Sequence, residues 1–283
     1  MRQISGTIIS NSRLLKYEGA EYFLLRVLAP EIAKNAEPGQ FLMVKCGTDV
    51  VLRRPISIHS ANSDSGDIEL LFAISLPVES AQTLSPMHQP EKRMVASKGT
   101  KWLASRKKGD SIEVLGPLGN GFQITDNSHN VLLIAGGIGI APLRFLAEEC
   151  TKRGKNITIL FGARDVNGVY PARRLSKGIK YIVATENGSR GYKDTVTQLI
   201  PQYIASADQV FACGPKAMYE KIDQQLKQYK WSQDIQVSLE ERMGCGFGVC
   251  YGCSIKTRQG MKRICRDGPV FNINDIIWQE VKL

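Results

Sequence analysis

No stretch of the 283-residue chain approaches the roughly eighteen consecutive apolar residues that a membrane-spanning helix needs. Its polar start, Met1-Arg2-Gln3-Ile4-Ser5, has no apolar signal core, so a cytoplasmic protein without a membrane span is expected. Histidine is scarce: His59, His88 and His129 fall in or beside predicted turns, share no spacing with a serine, cysteine or acid, and read as surface residues. No Ser/His/Asp nucleophile arrangement and no carboxylate pair set apart for acid–base work is visible. No catalytic side chain is therefore assigned, and the chemistry is expected from bound cofactors. Seven cysteines, an odd count, argue against a disulfide framework; with Cys46, Cys150 and Cys213 scattered in apolar surroundings, they point to a reduced compartment. A nucleic-acid motif is missing too. The net charge of +10 is concentrated at Lys92, Arg93, Lys98, Lys101, Arg106, Lys107 and Lys108, with Trp102 the sole aromatic among them. No nucleic-acid partner is expected; this segment reads as a solvated surface or a docking face for an acidic partner.

What is present is four cysteines at C-x4-C-x2-C-x11-C: Cys245, Cys250, Cys253 and Cys265. Thiolate ligands to iron need short intervals so that one loop can wrap the metal, and a 4-then-2 spacing with a distant fourth cysteine is the plant-type [2Fe–2S] pattern. Gly244, Gly246, Gly248 and Gly252 suit a loop that takes left-handed conformations and turns its N–H groups toward sulfur. A structural zinc site is the alternative, although zinc sites pair two close knuckles and Cys265 stands alone.

Ahead of the cysteines the texture changes once. Short apolar runs at 4–9, 22–28, 41–44, 50–52, 56–58 and 68–74, separated by Pro38-Gly39 and Ser65-Gly66-Asp67, predict strands of a small antiparallel barrel closed by 111–115. Within it Arg53-Arg54-Pro55-Ile56-Ser57 places two arginines in an apparently buried strand, where a guanidinium needs an anion such as a phosphate or an ion-pair partner. After residue 130, strands at 131–135, 157–161, 181–184, 209–213 and 235–239 alternate with helices near 142, 195–200 and 216–229, which predicts a doubly wound parallel sheet. Ligands bind such sheets beyond the carboxyl ends of the strands. Gly136-Gly137-Ile138-Gly139, Gly162-Ala163-Arg164, Thr185-Glu186-Asn187-Gly188 and Cys213-Gly214-Pro215 all fall at such ends. The first of these opens a helix, an arrangement suited to a pyrophosphate.

Pro38-Gly39-Gln40-Phe41 followed by Arg54-Pro55-Ile56-Ser57 resembles the flavin-binding barrel of the ferredoxin reductase superfamily, and Gly-Gly-x-Gly-x-Ala-Pro and Cys-Gly-Pro resemble its nucleotide half. The resemblance implies FAD held by Arg54, Pro55, Ile56 and Ser57, by Leu71, Phe72 and Ala73, and by Gly99 and Thr100. It implies NAD at Gly136, Gly137, Gly139, Cys213, Gly214 and Pro215, with Glu186 disfavouring a 2′-phosphate. Two departures stand out: Ala73 occupies a position that is often arginine, and a polar insertion fills 75–98.

With the cysteine block, Ser238-Leu239-Glu240-Glu241-Arg242-Met243-Gly244-Cys245 and Cys265-Arg266-Asp267-Gly268-Pro269, nearly the whole chain resembles the electron transfer subunits of dihydroorotate dehydrogenase B. That resemblance implies an FAD-binding barrel at 1–126, an NAD-binding domain at 127–230 and a [2Fe–2S] subdomain at 231–283 ligated by the four cysteines. It implies a partner as well, an FMN-containing catalytic subunit that converts dihydroorotate to orotate in pyrimidine biosynthesis, in a heterotetramer of two of each. Small flavin/iron–sulfur subunits of ferredoxin:NADP reductases or sulfhydrogenases, and more distantly a zinc-stapled binding module, are the alternatives.

Overall fold

The computed structural model describes residues 1–76 and 98–281 of the chain. The 75–98 insertion, with His88, Lys92 and Arg93, lies almost wholly outside the described residues.

Six strands form the closed antiparallel barrel: β1 (Arg2–Tyr17), β2 (Ala20–Leu28), β3 (Phe41–Val44), β4 (Arg54–Asn62), β5 (Asp67–Ser75) and β6 (Ser111–Leu118), in the order β1-β2-β5-β4-β3-β6. Side-chain alternation decides what each face meets. Ile56, Ile58, Ile68, Leu70 and Phe72 fill the barrel with Ile32 from a short helix α1 (Pro30–Ala33) and Leu103 from α2 (Lys98–Ala104), whereas Leu71 faces out to a second core. The run at 50–52 is not the expected strand. Val51 is 94% exposed and the segment belongs to the β3–β4 connection. β3 is already bonded on both sides, to β4 and β6, so the closed barrel leaves no edge for those apolar residues.

The second unit is a seven-stranded sheet built from β7 (Asn130–Gly136), β8 (Asn156–Ala163), β9 (Lys180–Thr185), β10 (Tyr192–Lys193), β11 (Gln209–Cys213), β12 (Ile235–Ser238) and β15 (Val270–Asn272). Its order is β10-β9-β8-β7-β11-β12-β15, parallel except for β15. Helix α3 (Ile140–Lys152) packs on one face; α4 (Ile200–Tyr203) and α5 (Lys216–Tyr229) lie on the other, as a doubly wound sheet requires.

The last fifty residues add the cysteine loop, a hairpin of β13 (Ser254–Thr257) and β14 (Gly260–Arg263), and helix α6 (Ile264–Asp267). They also supply β12 and β15 to the sheet. Their Cys253, Cys265, Ile273, Ile276 and Trp278 share one core with the α5 face of the sheet and with Phe41, Met43 and Leu118 of the barrel. Among the described residues, no helix is long and apolar enough to cross a membrane.

Candidate functional site

A cavity of ≈ 580 Å³ opens beyond the carboxyl ends of β7, β8 and β11, within the range of small-molecule sites. Gly136, Gly137, Gly139, Gly214 and Pro215 line it, together with Arg164 and Glu186 from the other strand ends. Close packing explains the glycines. A Cβ at Gly139 would collide with the Cys213 carbonyl, one at Gly136 would sit 2.7 Å from Pro215 Cδ, and Gly137 has φ +54°. Glycine at these positions lets the β7–α3 turn rest directly on the β11–α5 turn, leaving N–H groups at the start of α3 for an anion. Cys213 contributes backbone here. Its thiol is fully buried, points at Ser238 O (3.5 Å), and is held protonated by that burial.

Four lining residues carry no signal in the glycine motifs. Tyr17 and Tyr22 reach in from the barrel, with Tyr17 Oη donating to Tyr22 Oη at 3.0 Å, and Lys221 extends from α5. Glu240, just past β12, is accessible from the cavity yet densely surrounded, and that burial pushes its carboxyl above the usual carboxylate range. Glu240 obeys the strand-end rule that locates the glycine loops, so that rule alone could have found it. The two tyrosines depend on how the barrel docks, which no local pattern encodes.

At the start of β4 the two arginines divide, Arg53 just before the strand and Arg54 its first residue. Arg53 pairs with Glu113 on β6, and Lys45 approaches the same carboxylate at 3.7 Å. Arg54 pairs with no carboxylate among the described residues; it donates to Leu52 O and lies against Gly99, where a Cβ would be 2.8 Å from its Nε. Arg54 and Gly99 thus meet at one place, with Thr100 the next residue after Gly99 in α2. Ser57, between the inward Ile56 and Ile58, is partly exposed on the outer face. Leu71 and Ala73 also pack outward, whereas Phe72 is turned inside and stacks on Phe23 with ring centres 5.7 Å apart, so its backbone is what remains for a ligand.

The cysteines meet as two pairs. The N–H groups of Val249 and Cys250 point at Cys245 Sγ (3.3 and 3.5 Å), and the Cys265 N–H points at Cys253 Sγ (3.4 Å). Burial opposes ionisation of Cys245, but N–H groups of Cys250, Phe247 and Val249 and the Cys250 thiol together bring it down to about 6. Burial, then the neighbouring Cys253, pushes Cys265 up to about 12. Crowded thiols of this kind want a cation in place of their protons. Two thiol pairs, Cys245 with Cys250 and Cys253 with Cys265, suit a two-iron cluster with two cysteines to each iron. Two of the four loop glycines are left-handed, Gly246 (φ +85°) and Gly248 (φ +92°). Gly244 and Gly252 instead clear space beside Cys250 Sγ, where their Cβ atoms would lie 3.2 and 3.5 Å away. A side chain at Gly246 would collide with Met43, which shows how closely the loop rests on the barrel.

His59 corrects the reading of the histidines as surface residues. It lies on β4, fully buried between the barrel and the nucleotide domain, whereas His129 is exposed as expected.

Comparisons with known proteins agree with this geometry. Residues 240–277 match the iron-sulfur cluster binding domain of dihydroorotate dehydrogenase B, and residues 133–224 match the oxidoreductase NAD-binding domain. Relatives described as "Dihydroorotate dehydrogenase B (NAD(+)), electron transfer subunit" include one from Desulforamulus reducens, 36% identical over 89% of this chain and 90% of its own. Another, from Bacillus cereus, is 30% identical over 98% and 100%. The structure of an NADH-dependent reduced ferredoxin-NADP oxidoreductase is similar with a TM-score of 0.77 at 26% identity, covering 97% of this chain and 90% of that one. The Plasmodium falciparum ferredoxin-NADP+ reductase shares the fold with a TM-score of 0.64 at 15% identity, covering 84% and 96%. From the paired thiols, the glycine-lined cavity and identity that extends over most of its length, the chain belongs to the electron transfer subunits of dihydroorotate dehydrogenase B.

Proposed function

We propose that this subunit carries electrons between NAD(H) in the β7–α3 cavity, FAD on the outer face of β4 and a [2Fe–2S] cluster on Cys245, Cys250, Cys253 and Cys265, and exchanges them singly with FMN in a separate catalytic subunit. Net flow runs from dihydroorotate to NAD. When bound, FAD joins the two-electron chemistry of the nicotinamide to the one-electron chemistry of iron. The chain itself binds and orients. Gly136, Gly137 and Gly139, with Gly214 and Pro215, cradle the NAD pyrophosphate, Cys213 supporting them from beneath through its backbone. Glu186 on the cavity wall repels a 2′-phosphate. Arg54 beside Gly99 and Thr100 grips the FAD phosphates, with Pro55, Ile56, Ser57, Leu71, Phe72 and Ala73 forming the rest of the flavin seat. The stretches expected as 1–126, 127–230 and 231–283 each hold the main residues for one of these tasks, while Tyr17 and Tyr22 of the first and Glu240 of the third also reach the dinucleotide cavity. A cytoplasmic heterotetramer, two of each subunit, fits this division of labour.

The observation that carries the reading is how the cysteine loop is displayed. Cys250 is exposed, and the loop presents Phe247, Val249 and Tyr251 at 41, 68 and 66% exposure, an apolar rim around a charged cluster that suits a partner surface. The purified chain should show flavin and iron–sulfur absorption and should oxidise NADH with artificial acceptors, but not dihydroorotate; a colourless protein that contains zinc refutes this. The 0.77 TM-score favours one second reading, a small subunit of a ferredoxin-NADP oxidoreductase. Co-purification with a flavoprotein that reduces NAD in the presence of dihydroorotate separates the two.

A further inference from the structure

Between barrel and nucleotide domain runs a buried polar junction that neither binding site accounts for. His59 on β4 is fully buried, with Nδ1 2.8 Å from Ala141 O and Nε2 3.0 Å from Tyr170 Oη. A carbonyl can only accept, so Nδ1 carries the proton and donates to it, and Nε2 accepts from the tyrosine hydroxyl. The neighbouring Ser60 donates to Glu148 Oε2 at 2.7 Å. Arg144 binds Glu148 (2.7 Å) on its own helix and Glu69 (3.0 Å) on β5, and donates from Nε to Arg174 O at 3.0 Å. The links from His59, Ser60 and Glu69 cross from the barrel to α3 or to the segment after β8. Ala141 lies in the first turn of α3, immediately after the Gly136–Gly139 loop.

We propose that His59 is a positioning residue for hydride transfer: its two hydrogen bonds fix the start of α3, and with it the dinucleotide loop, against the barrel strand that carries the flavin. The inference rests on the dinucleotide-site reading above. An apolar interface of similar area could settle in several registers, whereas two directional bonds to one imidazole admit one. Loss of the ring leaves Tyr170 Oη buried without its acceptor and strips Ala141 O of the bond that ties α3 to the barrel, leaving it only its helical bond within α3, which the interface relieves by shifting. Misplacement by about 1 Å costs on the order of a hundredfold in rate, so a small slip at this junction is expressed in the chemistry before it is expressed in binding.

The test uses the holoprotein with FAD and cluster in place. In His59→Leu, kcat for NADH oxidation by an artificial acceptor should fall about ten- to a hundredfold with KM changed less than about threefold. The long-wavelength band that reports nicotinamide stacked on flavin should weaken, with FAD and iron content unchanged. His59→Asn retains a donor for Ala141 O and should recover part of the rate; Tyr170→Phe removes the other bond alone and tests the idea even where His59→Leu fails to hold FAD. Wild-type rate and band in both Tyr170→Phe and His59→Asn, whatever their melting temperatures, overturn the inference. Gly139→Val serves as the control, because its side chain would displace the Cys213 carbonyl. If it leaves NADH binding intact the site reading fails; if it abolishes binding while the His59 and Tyr170 variants behave as wild type, the positioning role alone fails.

Discussion

Burial, then the positive charge of Arg144, holds the His59 imidazole down to about 3 from its ordinary 6.5; the bond to Ala141 O pulls the other way and Arg174 adds a smaller push down. Between those values the unfolded chain takes up a proton that the folded chain refuses. The contribution of His59 to stability is therefore complete above pH 6.5 and is lost as pH falls toward 3, at up to about 1.4 kcal/mol per pH unit. Glu69 and Glu148, which face Arg144, are present in wild type and variant alike, so a difference between the two reports His59. Urea unfolding at pH 7 and pH 5 should show a smaller loss in His59→Asn than in wild type, and equal losses contradict the assignment. Cys250→Ser addresses the other kind of residue. It should remove the cluster, read as lost iron and visible absorbance, while FAD stays bound, because Arg54 and Gly99 lie at a separate place; joint loss of both cofactors would show that the sites depend on each other. The two residues also differ in how far sequence reveals them. Metal ligation imposes its spacing on a single loop, so Cys245, Cys250 and Cys253 are legible as they stand. His59 takes its role from Ala141 and Tyr170, 82 and 111 positions away, and nothing near it in the chain announces burial.

The turn after β6 shows the same contrast at the level of elements. Three glycines in 116–121 mark backbone that must turn tightly, which the sequence shows; what the turn holds, it does not. Asn120 N–H donates to Gly268 O at 2.7 Å, and its Nδ2 donates to Arg266 O and Asp267 O, both at 3.2 Å, which satisfies carbonyls at the end of α6. Cys265 is in that helix, so a barrel turn holds the fourth thiol in place. Asn120→Ala should lower stability by about 1–2 kcal/mol and speed bleaching of the cluster by a chelator, with FAD content constant. Chelation at the wild-type rate would mean that the α6 segment is held without Asn120. The strand expected at 50–52 fails for a related reason. Composition reports that Val50, Val51 and Leu52 could pair, but pairing needs a free edge, and the closed barrel has none.

Across the whole molecule, three hydrophobic cores do not coincide with the three stretches of chain. One fills the barrel; a second joins the outer barrel face to α3; the third runs from Phe41, Met43 and Leu118 under the cysteine loop to α5 and the C-terminal residues. Electron transfer gives a reason for this, since a carrier between bound groups works only if those groups keep their separations. It also makes the C-terminal stretch inseparable from what precedes it. Ending the chain after Trp231 deletes β12 and β15 as well as the cysteines, and uncovers α5, whose Tyr219 stacks on Trp278 at 5.2 Å. Ile235, Val237, Leu239, Ile273, Ile276 and Trp278 are all at most 2% exposed. Burial of each is worth about 1.5–3 kcal/mol, together of the order of a domain's entire stability, about 5–15 kcal/mol. The 1–231 fragment should therefore lose NADH oxidation and its cooperative melting transition, and not merely its cluster. Retention by the fragment of FAD, the full-length rate with a two-electron acceptor and a sharp melt would show that barrel and sheet stand alone, and that the shared core serves the cluster only.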